Sequence, residues 1–217
     1  MKFKLTPLEK KWVLYDVANS AFTLLVSTIM PIYFNYLAGR GGLSSVDYLA
    51  YWGYATSLVA VLGPTLGTLS DLRGRKKRFF LGSVLIGSVS CVVLGFMQSW
   101  LWFLGLFVIS KTAYSSSLVF YDAMLPDVTE DSRVDEVSSY GYAWGYIGSC
   151  IPFGVCLVLV LAYESIGISM EAAMVIAFFI IALWWLLGAV PLLRSYRQIH
   201  YVEAQHEPVR DSFRRLG

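Results

Sequence analysis

Six long apolar stretches dominate this chain of 217 residues and restrict what it can fold into. A helix needs roughly 20 mostly apolar residues to cross the hydrocarbon layer, and it satisfies its own backbone hydrogen bonds where water is absent. The stretches cover about 12–37, 48–69, 79–97, 100–121, 139–163 and 171–193. They predict an all-α membrane protein with a bundle of six transmembrane helices over 1–193 and a polar tail at 194–217. With 57% of residues apolar and 15% charged, the composition excludes an ordinary soluble domain.

Short capping signals indicate where two of the helices begin. Thr6, Pro7 and Glu9 place a capping hydroxyl, a proline at the first helical position and a glutamate at the third. The first helix is therefore expected to begin ahead of its apolar core. Ser44 and Asp47 give a similar signal before the second span.

The positions of lysine and arginine predict the orientation. Of these 17 residues, Arg40 falls in a connection on one face and Lys111 inside a span, whereas the others lie in the N-terminal segment, in the connections after spans two and four, and in the tail. Cytoplasmic connections carry the excess of positive charge, so both termini are expected to be cytoplasmic, and a bacterial inner membrane fits this bias. Basic segments beside spans contact lipid headgroups, so we expect a lipid bilayer and no nucleic acid as their partner.

Two ionisable side chains lie at membrane depth, where a charge normally faces a polar cavity or a partner. Asp16 shares one helix face with three polar residues, Asn19, Ser20 and Thr23. Lys111 lies in the fourth span, one turn from Ser115. We hypothesise that Asp16 and Lys111 face one aqueous cavity, where they pair with each other or with a solute. In the alternative, Asp16 is interfacial and Lys111 extends its stem to the interface.

The remaining candidate residues are aromatic side chains and thiols. An aromatic substrate cage is one interpretation of four rings in the first and fourth spans, Tyr15, Phe22, Tyr114 and Tyr121, with simple packing as the other. The three cysteines, Cys91, Cys150 and Cys156, fall within spans and lack partner histidines, so we expect buried packing residues and no metal site. The chain also lacks a nucleotide-binding loop or a serine–base pattern, and we expect no cofactor and no enzyme activity.

The connection after the second span combines glycine, an acid and a basic run, with the residues of interest being Gly67, Asp71, Gly74, Arg75 and Lys76. Gly74 allows a tight turn, and Asp71 is placed to pair with an arginine or with the N-terminus of a neighbouring helix. The connection is therefore a candidate cytoplasmic gating loop. The alternative is a simple topology anchor.

This connection resembles the conserved cytoplasmic loop of the major facilitator superfamily, with Leu72 where a basic residue is usual. Residues 12–22 are similar to the first-helix motif of the vacuole-effluxer family, the branch that contains the autophagy-linked vacuolar amino-acid exporter, although Val17 replaces a tryptophan. Residues 120–127 and 137–148 resemble the same branch, with Asp122 where asparagine is expected.

The resemblance implies the N-terminal six-helix half of a major-facilitator fold, built as a 3+3 inverted repeat. It also implies a secondary active transporter that moves a small polar or zwitterionic solute by alternating access, with amino-acid export as the family-level expectation. The first and fourth helices would line the pathway. A complete pathway needs a second six-helix half, either a missing C-terminal half or a second copy. The alternative function is a non-transporting, half-size membrane regulator or assembly partner.

Overall fold

The structure, a computed structural model, describes residues 4–65 and 75–200, and their regular secondary structure is helical throughout. Six long helices occupy the positions of the six apolar stretches. They are α1 (Pro7–Arg40), α2 (Ser45–Thr65), α3 (Lys76–Leu94), α4 (Trp100–Asp122), α5 (Val134–Leu161) and α6 (Met170–Ser195). Short helical turns at Leu125–Val128, Asp131–Arg133 and Tyr163–Ile166 lie in the connections.

Five of these helices are long and apolar enough to cross a membrane, namely α1, α3, α4, α5 with the turn before it, and α6. Helix α2 has 21 residues but is not among the five. Its first half carries Asp47 and the tyrosines Tyr48, Tyr51 and Tyr54, which lower its mean hydropathy. The described part of the predicted span 48–69 ends at residue 65, so a sixth span stays a prediction.

The capping signals form as the sequence predicts. In α1 the Glu9 amide donates to Thr6 Oγ1 (3.3 Å), and the Thr6 amide donates to Glu9 Oε2 (2.7 Å). Before α2 the Asp47 amide donates to Ser44 Oγ (3.2 Å). Each bond satisfies one of the amides that a helix N-terminus leaves without a partner.

Helix α5 begins earlier than its apolar stretch predicts, at Val134 rather than near 139. Its first turn contains Asp135 and Glu136, and negative side chains are favourable beside the positive end of a helix dipole. Apolar content alone does not detect such a polar first turn.

Helix α1 changes its geometry in the middle. Its α-helical parts, Pro7–Leu24 and Met30–Arg40, are joined by a π-helical turn at Leu25–Ile29. Pro31 follows this turn and has no amide, so it cannot donate the hydrogen bond that a regular α-helix makes to the preceding turn. The wider π-helical turn accommodates this missing bond. The first part of α1 packs against α5 and α6, whereas the second part packs against α2 and α4.

Two of the predicted packing cysteines are buried, and one is not. Cys91 and Cys156 are buried, whereas Cys150 is exposed on α5. The expectation that Cys150 is a buried packing residue is therefore wrong. It lies on the outer face of α5, where Ile147 and Ile151 are also exposed.

Small residues on α5 let α1 approach closely, as the spacing of Gly141 and Gly145 predicts. A Cβ atom at Gly141 would lie 2.8 Å from a ring carbon of Trp12, and one at Gly145 would lie 3.0 Å from Ser20 Oγ. A Cβ atom at Gly148 would overlap the side chain of Val17. The glycines therefore form a groove that receives α1.

Two buried carboxylates join the helix ends on the side of the bundle where α1 begins. Glu9 pairs with Arg133 (2.8 Å between Oε2 and the guanidinium) and accepts from Thr129 Oγ1 (2.7 Å). Asp127 lies 3.6 Å from Lys76 Nζ at the start of α3. Asp127 thereby joins the start of α3 to the segment that follows α6.

That segment donates several hydrogen bonds to Asp127. The donors are the Tyr196 hydroxyl, the Ile199 amide and the His200 amide and ring. Burial opposes ionisation of Asp127, but the bonds from Tyr196 and His200 outweigh it and hold the pKa of this carboxyl below its ordinary value. The carboxylate thus stabilises this end of the bundle in its charged form.

Replacing Gly148 with alanine should destabilise the bundle, because the added methyl group overlaps Val17 of α1. We expect a loss of about 1–3 kcal/mol, measured as a lower apparent Tm of the purified chain in detergent. Gly154→Ala in the same helix is the matched control, since a Cβ atom there meets nothing within 4 Å. Both changes raise the helix propensity equally, so an equal Tm for the two variants would contradict the close α1–α5 contact.

Replacing Asp127 with asparagine should cost about 3 kcal/mol at neutral pH, because Lys76 stays buried without its counter-charge. The lowered pKa means that the stabilisation by Asp127 is present above about pH 4 and is lost as the pH falls through the folded-state value. The Tm difference between wild type and Asp127→Asn should therefore shrink in acid. Asp131→Asn, an exposed position in the same connection, is the control and should change Tm little. A Tm difference that persists unchanged in acid would show that the Asp127 charge is not what stabilises this end.

Candidate functional site

A polar cleft of ≈ 280 Å³ lies between α1, α4 and α5. Its lining consists mainly of hydroxyl, amide, carboxyl and aromatic side chains. They are Trp12, Asp16, Asn19, Ser20, Thr23 and Leu24 of α1, Tyr114, Leu118, Tyr121 and Asp122 of α4, and Ser138, Tyr142, Tyr146 and Ser149 of α5.

The first part of α1 and helix α4 are joined by aromatic side chains rather than by close backbone packing. At one end the Trp12 and Tyr121 rings stack with centroids 4.2 Å apart. The Trp12 indole donates to the Tyr121 carbonyl (3.3 Å), and the Tyr121 hydroxyl donates to the Trp12 carbonyl (3.2 Å). The two rings thus hold the helices at a fixed spacing and satisfy their own polar groups.

A second bridge lies one turn deeper and is fully buried. The Tyr15 hydroxyl donates to Ser117 Oγ (2.8 Å) and accepts from the Trp185 indole of α6 (3.1 Å). Tyr15 therefore joins α1 to both α4 and α6. It lies behind the cleft and is not part of its lining.

Tyr114 forms the third bridge and closes the inner end of the cleft. Its hydroxyl lies 2.6 Å from Thr23 Oγ1 and donates to Asn19 Oδ1 (3.2 Å). Both partners belong to the polar face of α1 that the sequence predicts. The three bridges run along the α1–α4 boundary and leave the polar cleft beside them.

Asp16 projects into the space that the α5 glycines leave open. A Cβ atom at Gly141 would lie 3.1 Å from Asp16 Oδ2, and one at Gly145 would lie 3.4 Å from the same oxygen. Asn19 Nδ2 donates to Asp16 Oδ1 (3.2 Å). The missing side chains at these glycines therefore make room for the Asp16 carboxylate and also allow the close contact between α1 and α5.

A second carboxylate, Asp122, lines the same cleft at the last residue of α4. An acid at a helix C-terminus opposes the helix dipole, so this position does not stabilise α4. The cleft lining contains two carboxylates and neither lysine nor arginine. Any charge on the lining side chains is therefore negative.

The structure brings together four of the six predicted pathway residues, since Asp16, Asn19, Ser20 and Thr23 all line the cleft. The other two, Lys111 and Ser115, do not. Lys111 is half-buried one turn beyond the cleft, with its ammonium 4.4 Å from the centroid of the Tyr114 ring. Tyr114 thus lines the cleft and also contacts Lys111.

The rings proposed for an aromatic cage separate into two groups. Tyr114 and Tyr121 line the cleft, whereas Tyr15 and Phe22 are completely buried in the core. Phe22 packs against Tyr114 (centroids 4.8 Å apart) and Trp185 (5.2 Å). The four rings therefore do not surround one space.

The sequence reasoning missed the contribution of α5. Its cleft residues, Ser138, Tyr142, Tyr146 and Ser149, recur at helical spacing along one face of an otherwise apolar segment. This periodic stripe of polar residues is the sequence pattern that identifies the α5 residues of the cleft. Asp122 was noted only as a departure from the family pattern, and its place in the cleft was not predicted.

The predicted gating loop is described in part. Gly67, Asp71 and Gly74 lie outside the described residues. Arg75 is exposed immediately before α3, whereas Lys76 is buried, and its ammonium donates to the Ala123 carbonyl (3.0 Å) as well as facing Asp127. Lys76 therefore belongs to the contacts that join the helix ends around Asp127 and is not part of the cleft.

No group of three or more His, Cys, Asp or Glu side chains that could hold a metal ion occurs within 4–65 and 75–200. The groups that the cleft lining offers to a solute are carboxylates, hydroxyls, an amide and aromatic rings. Groups of these kinds interact with polar solutes by charge and hydrogen bonding.

Comparison with known proteins agrees with this arrangement of apolar helices. The chain is 40% identical over 226 aligned positions to the "Uncharacterized MFS-type transporter YxiO" of Bacillus subtilis (strain 168). The alignment covers 100% of this chain and 53% of that protein, so the chain spans about half the length of the curated relative it matches.

Residues 44–217 match the sequence model of the family described as "Vacuole effluxer Atg22 like". This match covers α2 to α6 and more than half of the chain, and the alignment with the transporter relative extends over α1. The chain is thus an integral membrane protein of the major-facilitator type, and it belongs to the vacuole effluxer Atg22-like family.

Proposed function

We propose that this chain forms one side of the solute pathway of a secondary transporter, which moves a small polar solute by alternating access. The observation that supports this function is the acidic cleft between α1, α4 and α5. Carboxylates at membrane depth are costly unless they face water or a partner. A cleft that keeps Asp16 available to solutes accounts for its presence in an apolar helix.

The Asp16 carboxylate retains capacity for a ligand. An ionised carboxylate accepts about four hydrogen bonds. Within the described part of the chain, its one hydrogen-bond donor is the Asn19 amide. A bound solute or water supplies the remaining donors.

The charge of the cleft favours a solute that carries a positive group. Asp16 and Asp122 attract an amine, while Ser20, Thr23 and Tyr146 offer hydroxyls for neutral polar groups. Small zwitterions such as amino acids meet this description, and export agrees with the effluxer family to which the chain belongs.

The packing of the helices supports a six-span bundle built as a 3+3 inverted repeat. The first helix of each triplet packs against the second and third helices of the other, since α1 contacts α5 and α6 while α4 contacts α2 and α3. The third helices, α3 and α6, contact each other. An exchange of this kind is what two intertwined repeats related by a pseudo-two-fold axis produce.

A second six-helix unit is part of the proposal. On α5, Tyr142 and Tyr146 line the cleft yet are 67% and 66% exposed. A second unit, supplied by a further half of the protein or by a second copy, would cover this open side. The length of the curated relative supports the first arrangement.

A cysteine at Ser20 should react with a cationic, water-soluble methanethiosulfonate about tenfold faster than with an anionic one, because the acidic cleft concentrates cations. The rates are measured in the full 217-residue chain in liposomes, with the exposed Cys150 replaced by serine. Asp16→Asn should reduce this preference severalfold.

Val89→Cys is the matched control, since Val89 is 61% exposed on the outer face of α3 and should be shielded by lipid. Equal rates at positions 20 and 89, or no charge preference at position 20, would contradict a water-filled acidic cleft.

Transport itself is tested by joining this chain to the part of the Bacillus subtilis relative that it does not match. The chimera in proteoliposomes should exchange labelled L-alanine for unlabelled L-alanine, and Asp16→Asn should slow the exchange about tenfold, the effect of one lost charge-assisted contact. The relative itself is the positive control. A folded but inactive chimera beside an active relative would favour the half-size regulator.

A further inference from the structure

Lys111 lies on the same face of α4 as the cleft residues, yet outside the cleft. Lys111, Tyr114, Leu118 and Asp122 follow one another at intervals of three and four, which places them along one side of the helix. The cleft ends at Tyr114, and Lys111 is the next residue along this face. Among the described residues, no carboxylate lies within salt-bridge distance of its ammonium.

The Tyr114 ring lines the acidic cleft and is also in contact with this ammonium. Lys111 Nζ lies over one face of the ring, 4.4 Å from the centroid. The hydroxyl of the same ring points to α1, where it bonds Thr23 and Asn19. Asn19 in turn donates to Asp16 (3.2 Å). The Tyr114 side chain thus contacts the cation through its ring and the carboxylate network through its hydroxyl.

The offset between the two charged residues along the helix axis is comparable to the reach of a lysine stem and one small solute. Tyr15 bonds Ser117, so Asp16 lies near the level of Ser117 on α4. Ser117 is about 9 Å along the helix axis from Lys111. The Lys111 stem and a small solute together cover that distance once the Tyr114 ring moves.

We propose that Lys111 is the residue that recognises an anionic group of the solute, and that Tyr114 is a movable partition which admits this cation to the cleft. With the ring in place, the cleft offers only carboxylates and neutral groups. When Tyr114 leaves Thr23 and Asn19, the Lys111 ammonium faces Asp16 across the solute. The cleft then binds both poles of a solute whose amine and carboxylate are close together.

This arrangement also accounts for the lack of a carboxylate partner. A permanent Lys111–Asp16 pair would neutralise both groups and leave neither for a solute. The cation–π contact with Tyr114 stabilises the ammonium without neutralising it. The inference rests on the proposed function, because it assigns roles within the same cleft.

The test uses the full chain with Ser20→Cys and Cys150→Ser, in which a bound solute slows modification of the cleft thiol. Three probes differ only in their charged groups: L-alanine, ethylamine, which lacks its carboxylate, and propionate, which lacks its amine. L-alanine should protect at about tenfold lower concentration than ethylamine, the difference expected for one charge-assisted contact. Propionate should protect least.

Lys111→Met should abolish the advantage of L-alanine over ethylamine, and protection by ethylamine should not weaken, because a positive charge is removed. Lys111→Arg keeps the cation and should retain the advantage. Tyr114→Phe removes the hydroxyl bonds to Thr23 and Asn19 but keeps the ring, so the partition moves more readily and the advantage should be at least as large. An L-alanine advantage that survives Lys111→Met, or the absence of any advantage in the parent chain, would overturn the inference.

Failure of the inference is distinguishable from failure of the proposed function. If the cleft thiol shows the expected preference for a cationic reagent and ethylamine protects it, the acidic cleft stands even when the Lys111 variants have no effect. If the thiol shows no such preference and no probe protects it, the solute pathway itself is contradicted.

Discussion

Polar groups carried into an apolar layer need partners, and helices α1 and α4 meet this constraint with side chains that reach across a gap. Trp12 with Tyr121, Tyr15 with Ser117 and Tyr114 with Asn19 each satisfy polar atoms from both helices. Because the bridging groups are large, the backbones stay apart. The gap that remains beside the bridges is the cleft.

Helix α1 is held against α5 in the opposite way, by small residues rather than by large side chains. Gly141, Gly145 and Gly148 remove side-chain volume so that α1 comes close, and in the same place they leave room for the Asp16 carboxylate. The first part of α1 is therefore in close contact with α5 and at a distance from α4. A wedge-shaped opening with an acidic wall is the geometrical result, and its shape follows from residue size rather than from any loop.

The sequence predicts the positions of the helices well because apolar length and capping are local properties. Thr6, Pro7 and Glu9 act within four residues of one another, and the polar face from Asp16 to Thr23 follows from helical periodicity alone. The early start of α5 was missed because its first turn is acidic. The separation of Lys111 from Asp16 was missed as well, since it depends on where the Tyr114 ring lies between two helices. The exposure of Cys150 depends in the same way on which face of α5 has a neighbour.

The wide turn at Leu25–Ile29 changes how α1 relates to its neighbours. An α-helix of this length would present one continuous stripe along its whole axis, whereas the insertion of a wider turn re-phases the stripe at its midpoint. The half that carries Asp16 is clamped by α5 and α6, and the half beyond Pro31 is clamped by α2 and α4. The wider turn thus allows a single helix to pack against two different pairs of neighbours.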